Sequence, residues 1–217
     1  MRTLFYLAAA MLLTACTHSV HLNNQSNVST CGNDCKASIN LITDIKNNNK
    51  ESIEQYDIQH FEFDFYSSIA HQTQLALEEN GYSVNTVTSD EVSTLKQANY
   101  TVEYLLEDNS MTIPGTVFGE SNATASVSFK LYDSDKNLLL SGSESCAFRD
   151  EMNGSETTSH FLMPFDSLTA TSFKAFLARV WNTAIYECSQ SFAGKVDAIH
   201  ANQLESRDNV SLSKPLN

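Results

Sequence analysis

Positive charge is what this chain lacks most. It carries 13 Lys and Arg against 26 Asp and Glu in 217 residues, a formal net charge of −13, and charged residues make up only 18%. That deficit excludes an electrostatic grip on nucleic acid, which needs clustered Lys and Arg to neutralise phosphates. The apolar run at residues 4–13 is ten residues long, too short to cross ~30 Å of hydrocarbon. A phosphate loop, a His-Glu-x-x-His pair and a dinucleotide fingerprint are all missing. Gly119-Glu120-Ser121-Asn122-Ala123 has the spacing of a nucleophile elbow, but a β-alternating run follows it where a helix is required. What is present is apolar substance: 41% hydrophobic residues, with twelve Phe and eight Tyr, too much for a disordered chain and enough for a real core.

The first sixteen residues form an address. Arg2 is a short positive region, residues 4–13 are the apolar segment of a signal, and Leu13-Thr14-Ala15-Cys16 closes it. This ending resembles the bacterial lipobox, Leu-x-Ala/Gly-Cys. The resemblance implies that Cys16 takes a diacylglyceryl group on its sulfur, that a peptidase cuts before it, and that the new amine is acylated. A thiolate is the nucleophile such a transfer needs, and small residues before it fit a peptidase cleft. Residues 1–15 are thus expected to be a signal peptide, leaving a mature chain of net charge −14 held by acyl chains. Thr17, and not Asp, follows Cys16. In the lipobox family this implies the outer membrane of a Gram-negative cell, on the periplasmic side.

Cysteine use agrees with an oxidising compartment. Cys31, Cys35, Cys146 and Cys188 remain after Cys16, an even set that permits three pairings. Cys146 has the apolar parity of a predicted strand and Cys188 lies on the apolar stripe of a predicted helix, whereas Cys31-Gly-Asn-Asp-Cys35 is a tight local loop. These directions favour Cys31 with Cys35 and Cys146 with Cys188.

Periodicity organises the rest. Residues 16–55 are expected to be the lipidated Cys and a polar tether containing the local disulfide loop, residues 56–194 the folded domain, and residues 195–217 a polar tail. A strand over 56–64 leads into a helical stripe of Phe65, Tyr66, Ile69, Ala70, Thr73, Ala76 and Leu77, with Gly81 as its stop. A short strand over 82–87 and a short helix over 90–98 follow. Three alternating strands come next, with inward sets Tyr100, Val102, Tyr104, Leu106; then Ala123, Ala125, Val127, Phe129, Leu131; then Leu138, Leu140, Cys146, Phe148. Asp133-Ser134-Asp135-Lys136-Asn137 has hairpin chemistry. Phe173, Phe176, Leu177, Val180, Trp181, Ala184, Ile185, Cys188 and Phe192 make the strongest helix, with Gly194 as its expected end. The fold class is α+β, a single mainly antiparallel sheet with one face covered by two helices. His60, Glu62 and Asp64 share one strand face, within reach of a cation, but a solvated polar face is the plainer reading. No metal, no cofactor and no catalytic residue is expected.

The segment Leu77-Glu78-Glu79-Asn80-Gly81-Tyr82-Ser83-Val84, with Ala98-Asn99-Tyr100-Thr101-Val102 and Val127-Ser128-Phe129-Lys130-Leu131-Tyr132-Asp133, resembles several groups of small envelope lipoproteins. They are the penicillin-binding-protein activator type, the lipopolysaccharide-assembly type and the conjugation type. The resemblance covers residues 60–140 and carries over no binding residues. The lipid anchor, the missing catalytic constellation and the polar segments point to a non-enzymatic accessory or assembly factor of a cell-envelope complex, attached to the membrane by its lipid and docking on an envelope protein. The alternative is a binding module for a small amphiphile or lipid, lined by Phe61, Phe63, Phe65, Phe173, Phe176 and Trp181.

Overall fold

The computed structural model describes residues 16–20, 34–43, 51–55, 59–63, 65–87, 98–114, 119–156 and 171–212. In chain order these hold β1 (Cys16–Val20), β2 (Ser38–Ile42), β3 (Glu51–Gln55), β4 (Gln59–Phe63), α1 (Phe65–Glu79), β5 (Ser83–Val87), β6 (Tyr100–Met111), β7 (Glu120–Asp133), β8 (Leu138–Glu151) and α2 (Thr171–Leu212). The architecture is α+β. A five-stranded sheet, ordered β5-β2-β6-β7-β8, carries α1 and α2 on one face. The β6-β7-β8 meander is antiparallel, while β2 runs parallel to both β5 and β6. A smaller sheet pairs β1 parallel to β4 and β3 antiparallel to β4.

Period-two alternation builds the inner face as the pattern dictates. Val102, Tyr104, Ala123, Val127 and Leu131 have no exposed surface, and Phe129 keeps 3%. Their neighbours on the other parity are polar and form cross-strand links on the open face: Ser110 to Thr124 at 2.6 Å, Lys130 to Glu103 at 3.3 Å, and Arg149 to Glu120. The helical stripe of α2 closes over the inner face, and all nine of its anticipated residues, from Phe173 to Phe192, are fully buried. Each such large side chain contributes roughly 1.5–3 kcal/mol on burial, so this contact dominates the fold.

Four expectations need correcting. The tether reading of residues 16–55 fails at β2, which lies between β5 and β6 with Ile39 at 1% and Leu41 at 0% exposure. A strand flanked by two parallel partners reads as a short apolar run without alternation, and Ile39-Asn40-Leu41-Ile42 is only a weak one. The tail reading of residues 195–217 fails as well, because α2 continues through an exposed Gly194 to Leu212. Val196, fully buried, and the half-buried Ile199 extend its stripe by another turn. The folded domain therefore exceeds 56–194 at both ends. Finally, Leu138 faces solvent with 54% of its surface exposed. A register shift places Leu140 opposite Leu131 but Leu138 opposite Tyr132, so the extra residue Leu139 reverses the parity of the strand's first position. The short helix expected over 90–98 and most of the predicted 56–64 side-chain pattern lie outside the described residues.

Local chemistry fixes the turns. Gly81 ends α1 at φ +88°, with Tyr82 N donating to Leu77 O at 3.2 Å and Gly81 N to Glu78 O at 2.9 Å. This is the Schellman pairing that glycine makes accessible. In the β7-β8 hairpin, Asp133 accepts from Asp135 N at 2.9 Å and Asn137 N at 2.8 Å, and from the Asn137 side chain at 2.9 Å. Those bonds, the Asn137 side chain foremost, hold the Asp133 carboxyl below its ordinary range. Gly142 leaves room for a ring: a Cβ there would sit 2.9 Å from Phe129 Cζ.

Replacing Gly81 by Ala forces an L-residue into left-handed backbone and is expected to cost about 1–2 kcal/mol, read as a lowered urea midpoint with unchanged slope. Gly142→Val, by overpacking against the Phe129 ring, is expected to cost about 1–3 kcal/mol in the same measurement.

Candidate functional site

The helix–sheet seam is where sequence-marked residues come together. Cys146 on β8 and Cys188 on α2 form a disulfide with their Cα atoms 5.7 Å apart. Cys35 is also disulfide-bonded; Cys31, its anticipated partner, lies outside the described residues. Cys16 is the first residue of β1, and its side chain is outside the described set. Of the cation-reading trio, His60 and Glu62 fall on β4, while their side chains and Asp64 lie outside the described residues. Among the described residues no three His, Cys, Asp or Glu converge to hold a metal, and no helix is long and apolar enough to cross a membrane. Ser121 of the elbow-like pentapeptide sits inside β7, fully buried, and donates to Thr112 O at 2.6 Å. Its hydroxyl is committed to the backbone just past the end of β6.

The aromatic residues named as an amphiphile lining pack as core. Phe65 meets Trp181 at 4.3 Å between ring centroids, and Phe173 stacks on Phe176 at 6.2 Å, all four with at most 1% exposure. Phe61 and Phe63 have side chains outside the described set.

Polar groups organise the rest of the seam. Between the helices, Ser68 donates to Asn182 at 2.7 Å, Thr73 meets Ser189 at 3.1 Å, and Asn80 donates to Gln190 at 3.1 Å. Past the middle of α2, Asp197 accepts from Tyr82 at 2.7 Å and from Lys36 at 2.9 Å. Burial foremost, then the Asp197 carboxylate, pushes the Tyr82 hydroxyl far above its ordinary value. Partial burial opposes ionisation of Asp197, yet the Lys36 and Tyr82 hydrogen bonds outweigh it and hold that carboxyl below its ordinary range. One turn on, the Tyr100 hydroxyl lies 2.8 Å from His200 Nδ1 and donates to Gln203 at 2.8 Å. Beside it, an open groove of about 400 Å³ is lined by Leu139, Ile199, Asn202, Gln203 and Ser206. At the other end, Arg179 reaches Asp150 at 2.8 Å and Glu156 at 2.7 Å. Asn153 and Glu156 close a capping box there: Asn153 Oδ1 accepts from Glu156 N at 3.0 Å, and Asn153 N donates to Glu156 at 2.7 Å. Together these contacts pin α2 along its length and serve structure; none assembles a nucleophile with a base.

Sequence reasoning missed Asp197, His200 and Gln203, because all three lie in the stretch read as a tail. The available signal was Val196 and Ile199, spaced to continue the stripe past Gly194.

A five-stranded mixed sheet backed by two helices defines the class of fold. No family model matches the chain, and no curated protein does. Among solved structures it is similar to protein XCC0632 from Xanthomonas campestris, of family-model DUF330, at 11% identity and a TM-score of 0.48, over 88% of this chain and 99% of that one. A minor lipoprotein from Acinetobacter baumannii is similar at 12% identity and a TM-score of 0.38, over 76% and 92%. Lipoprotein GNA1162 from Neisseria meningitidis is similar at 16% identity and a TM-score of 0.33, over 67% and 99%. All three scores are below 0.5, and no activity passes from them to this chain.

Replacing both Cys146 and Cys188 by Ala opens a crosslink spanning 42 residues and is expected to cost about 4 kcal/mol by loss of the loop constraint on the unfolded chain, measured by denaturant unfolding. Asp197→Ala leaves the buried Tyr82 hydroxyl without its acceptor and is expected to cost about 1–3 kcal/mol. Because the Asp197 carboxyl is depressed in the folded state, its contribution is present above the unfolded carboxylate range and disappears as pH falls through the folded value. The gap between wild type and Asp197→Ala should therefore narrow as pH drops below about 4, the part owed to the Tyr82 hydrogen bond remaining, checked by urea midpoints across pH.

Proposed function

We infer that this chain is a lipid-anchored lipoprotein of the Gram-negative outer membrane, on its periplasmic side, acting as a non-enzymatic accessory or assembly factor of an envelope complex. The observation that carries this reading is Leu13-Thr14-Ala15-Cys16 directly after the ten-residue apolar stretch. In this reading residues 1–15 are removed, Cys16 carries acyl chains including an amide-linked palmitate, and membrane attachment needs no basic patch. Two or three chains, at ~0.8 kcal/mol per buried CH₂, suffice for durable attachment. An acidic body of net charge −14 is repelled by anionic head groups and stands clear of the bilayer. The Cys146–Cys188 bridge suits an oxidising compartment. The open sheet face, with its Ser, Thr and paired-charge surface, is available to an envelope partner.

Metabolic labelling with a clickable palmitate analogue tests the anchor. The wild-type chain is expected to take label and to fractionate with outer membranes, and Cys16→Ala to lose the label entirely and leave the membrane pellet. Crosslinking in outer membranes, with Cys16→Ala as control, tests the accessory role; recovery of no envelope partner would overturn it.

A further inference from the structure

Cys16 is the first residue of β1, and β1 is built into the fold. It runs parallel to β4, from Cys16 opposite Gln59 to Val20 opposite Phe63, and it lies against α2. A polar tether therefore does not begin at the anchor. With Cys16 as the lipidated residue, the reading above on which this inference rests, no linker separates the acyl chains from the first strand. A flexible linker lets a domain wander over a span that grows with the root of its length. A strand whose backbone is paired has no such freedom.

The joint is short on its other side as well. One residue separates Phe63 at the end of β4 from Phe65 at the start of α1. Phe65 is buried, and its ring lies 4.3 Å from that of Trp181 on α2. Six residues at about 3.3 Å each, plus one strand spacing of about 4.8 Å, place Cys16 within about 25 Å of Phe65. The two helices run side by side in the same direction, since Ser68 meets Asn182 and Asn80 meets Gln190. Trp181 is thus level with the start of α1, and exposed Leu204 lies 23 residues further along α2, about 35 Å away.

Charge decides how the body stands on that joint. β1, β3 and β4 contain Glu51, Glu54 and Glu62 and no Lys or Arg, so the small sheet is not drawn to anionic head groups by charge. The mature chain as a whole, at −14, is repelled from lying lengthwise on such a surface. Covalent attachment through a paired strand holds one end down while repulsion lifts the rest.

We propose that β1 seats the body end-on upon a phospholipid bilayer. The small sheet and the start of α1 lie next to the head groups. Leu204 and the groove at Leu139 and Ile199 are turned away from them.

Energy transfer tests the seat, because Trp181 is the chain's one tryptophan. The chain purified from membranes with its acyl chains is reconstituted in phosphatidylethanolamine and phosphatidylglycerol vesicles that carry a dansyl acceptor on the head group. Palmitate label and flotation are read beside the transfer. Wild type is expected to float and to pass excitation from Trp181 to the lipid. Inserting about ten Gly and Ser residues between Cys16 and Thr17 adds a linker that spans about 17 Å. That variant is expected to float with its Cys146–Cys188 bridge intact and to show several-fold less transfer. Moving the donor, by Trp181→Phe with Leu204→Trp, is expected to lower transfer several-fold too; should that core substitution fold poorly, the insertion decides. Equal transfer with and without the insertion, or transfer from position 204 that matches or exceeds that from Trp181, overturns the seat alone. A wild-type chain that neither takes label nor floats overturns the anchor reading, and the seat with it.

Discussion

The rest of the structure depends on one contact: the apolar stripe of α2 lying across the inner face of β6, β7 and β8. Phe192 shows how it works. Its ring sits 5.2 Å from Tyr104 and 4.9 Å from Phe129, so one helical side chain spans two strands. A single sheet face left open to water would forfeit most of the burial that stabilises a domain of this size. The covering helix is therefore an obligatory half of the core. The Cys146–Cys188 bridge joins the two halves covalently, four residues before Phe192 in the helix and two strands from Tyr104.

The polar contacts around that seam are arranged by depth. Hydroxyl and amide pairs such as Ser68 with Asn182 and Thr73 with Ser189 are buried between the helices, where apolar packing alone would leave their rotation and register loosely defined. Charged groups stay at the rim: Lys195 bonds Glu144 and lies 5.0 Å over the Phe129 ring, and Lys36 and Arg179 hold α2 at Asp197 and near its start. Exposed ion pairs contribute little energy singly. Their placement 18 residues apart on α2, about 27 Å along its axis, mainly fixes its direction across the sheet.

Legibility in the sequence followed periodicity. The meander and the first six turns of α2 could be read residue by residue, because period two and period 3.6 are imposed by one buried and one wetted side. The alignment of Cys146 with Cys188 followed from the same parities. Three features escaped for physical reasons. β2 is short, and its position between two parallel partners removes the alternation that would mark it. The turn of α2 beyond Gly194 is held by Asp197, Tyr82, His200 and Tyr100, pairings between distant segments that no local window contains. The reversal at Leu138 comes from one extra residue, and a bulge leaves the composition of a strand unchanged. The helix–sheet seam was legible at Cys146 and Cys188, whose parities are local, whereas the polar pairs of Asp197 and His200 exist only once α2 is seen to continue past Gly194.

The position of β2 has a bearing on the order in which the molecule can be made. It is the first strand of the main sheet in the chain, yet both of its partners lie downstream, at residues 83–87 and 100–111. Leaving the membrane or a ribosome amino-end first, β2 has nothing to pair with until about 45 further residues have followed to complete β5. The meander can close on itself through its own hairpins without waiting. The strand nearest the amino end is thus a late insertion into a slot that later-made strands define.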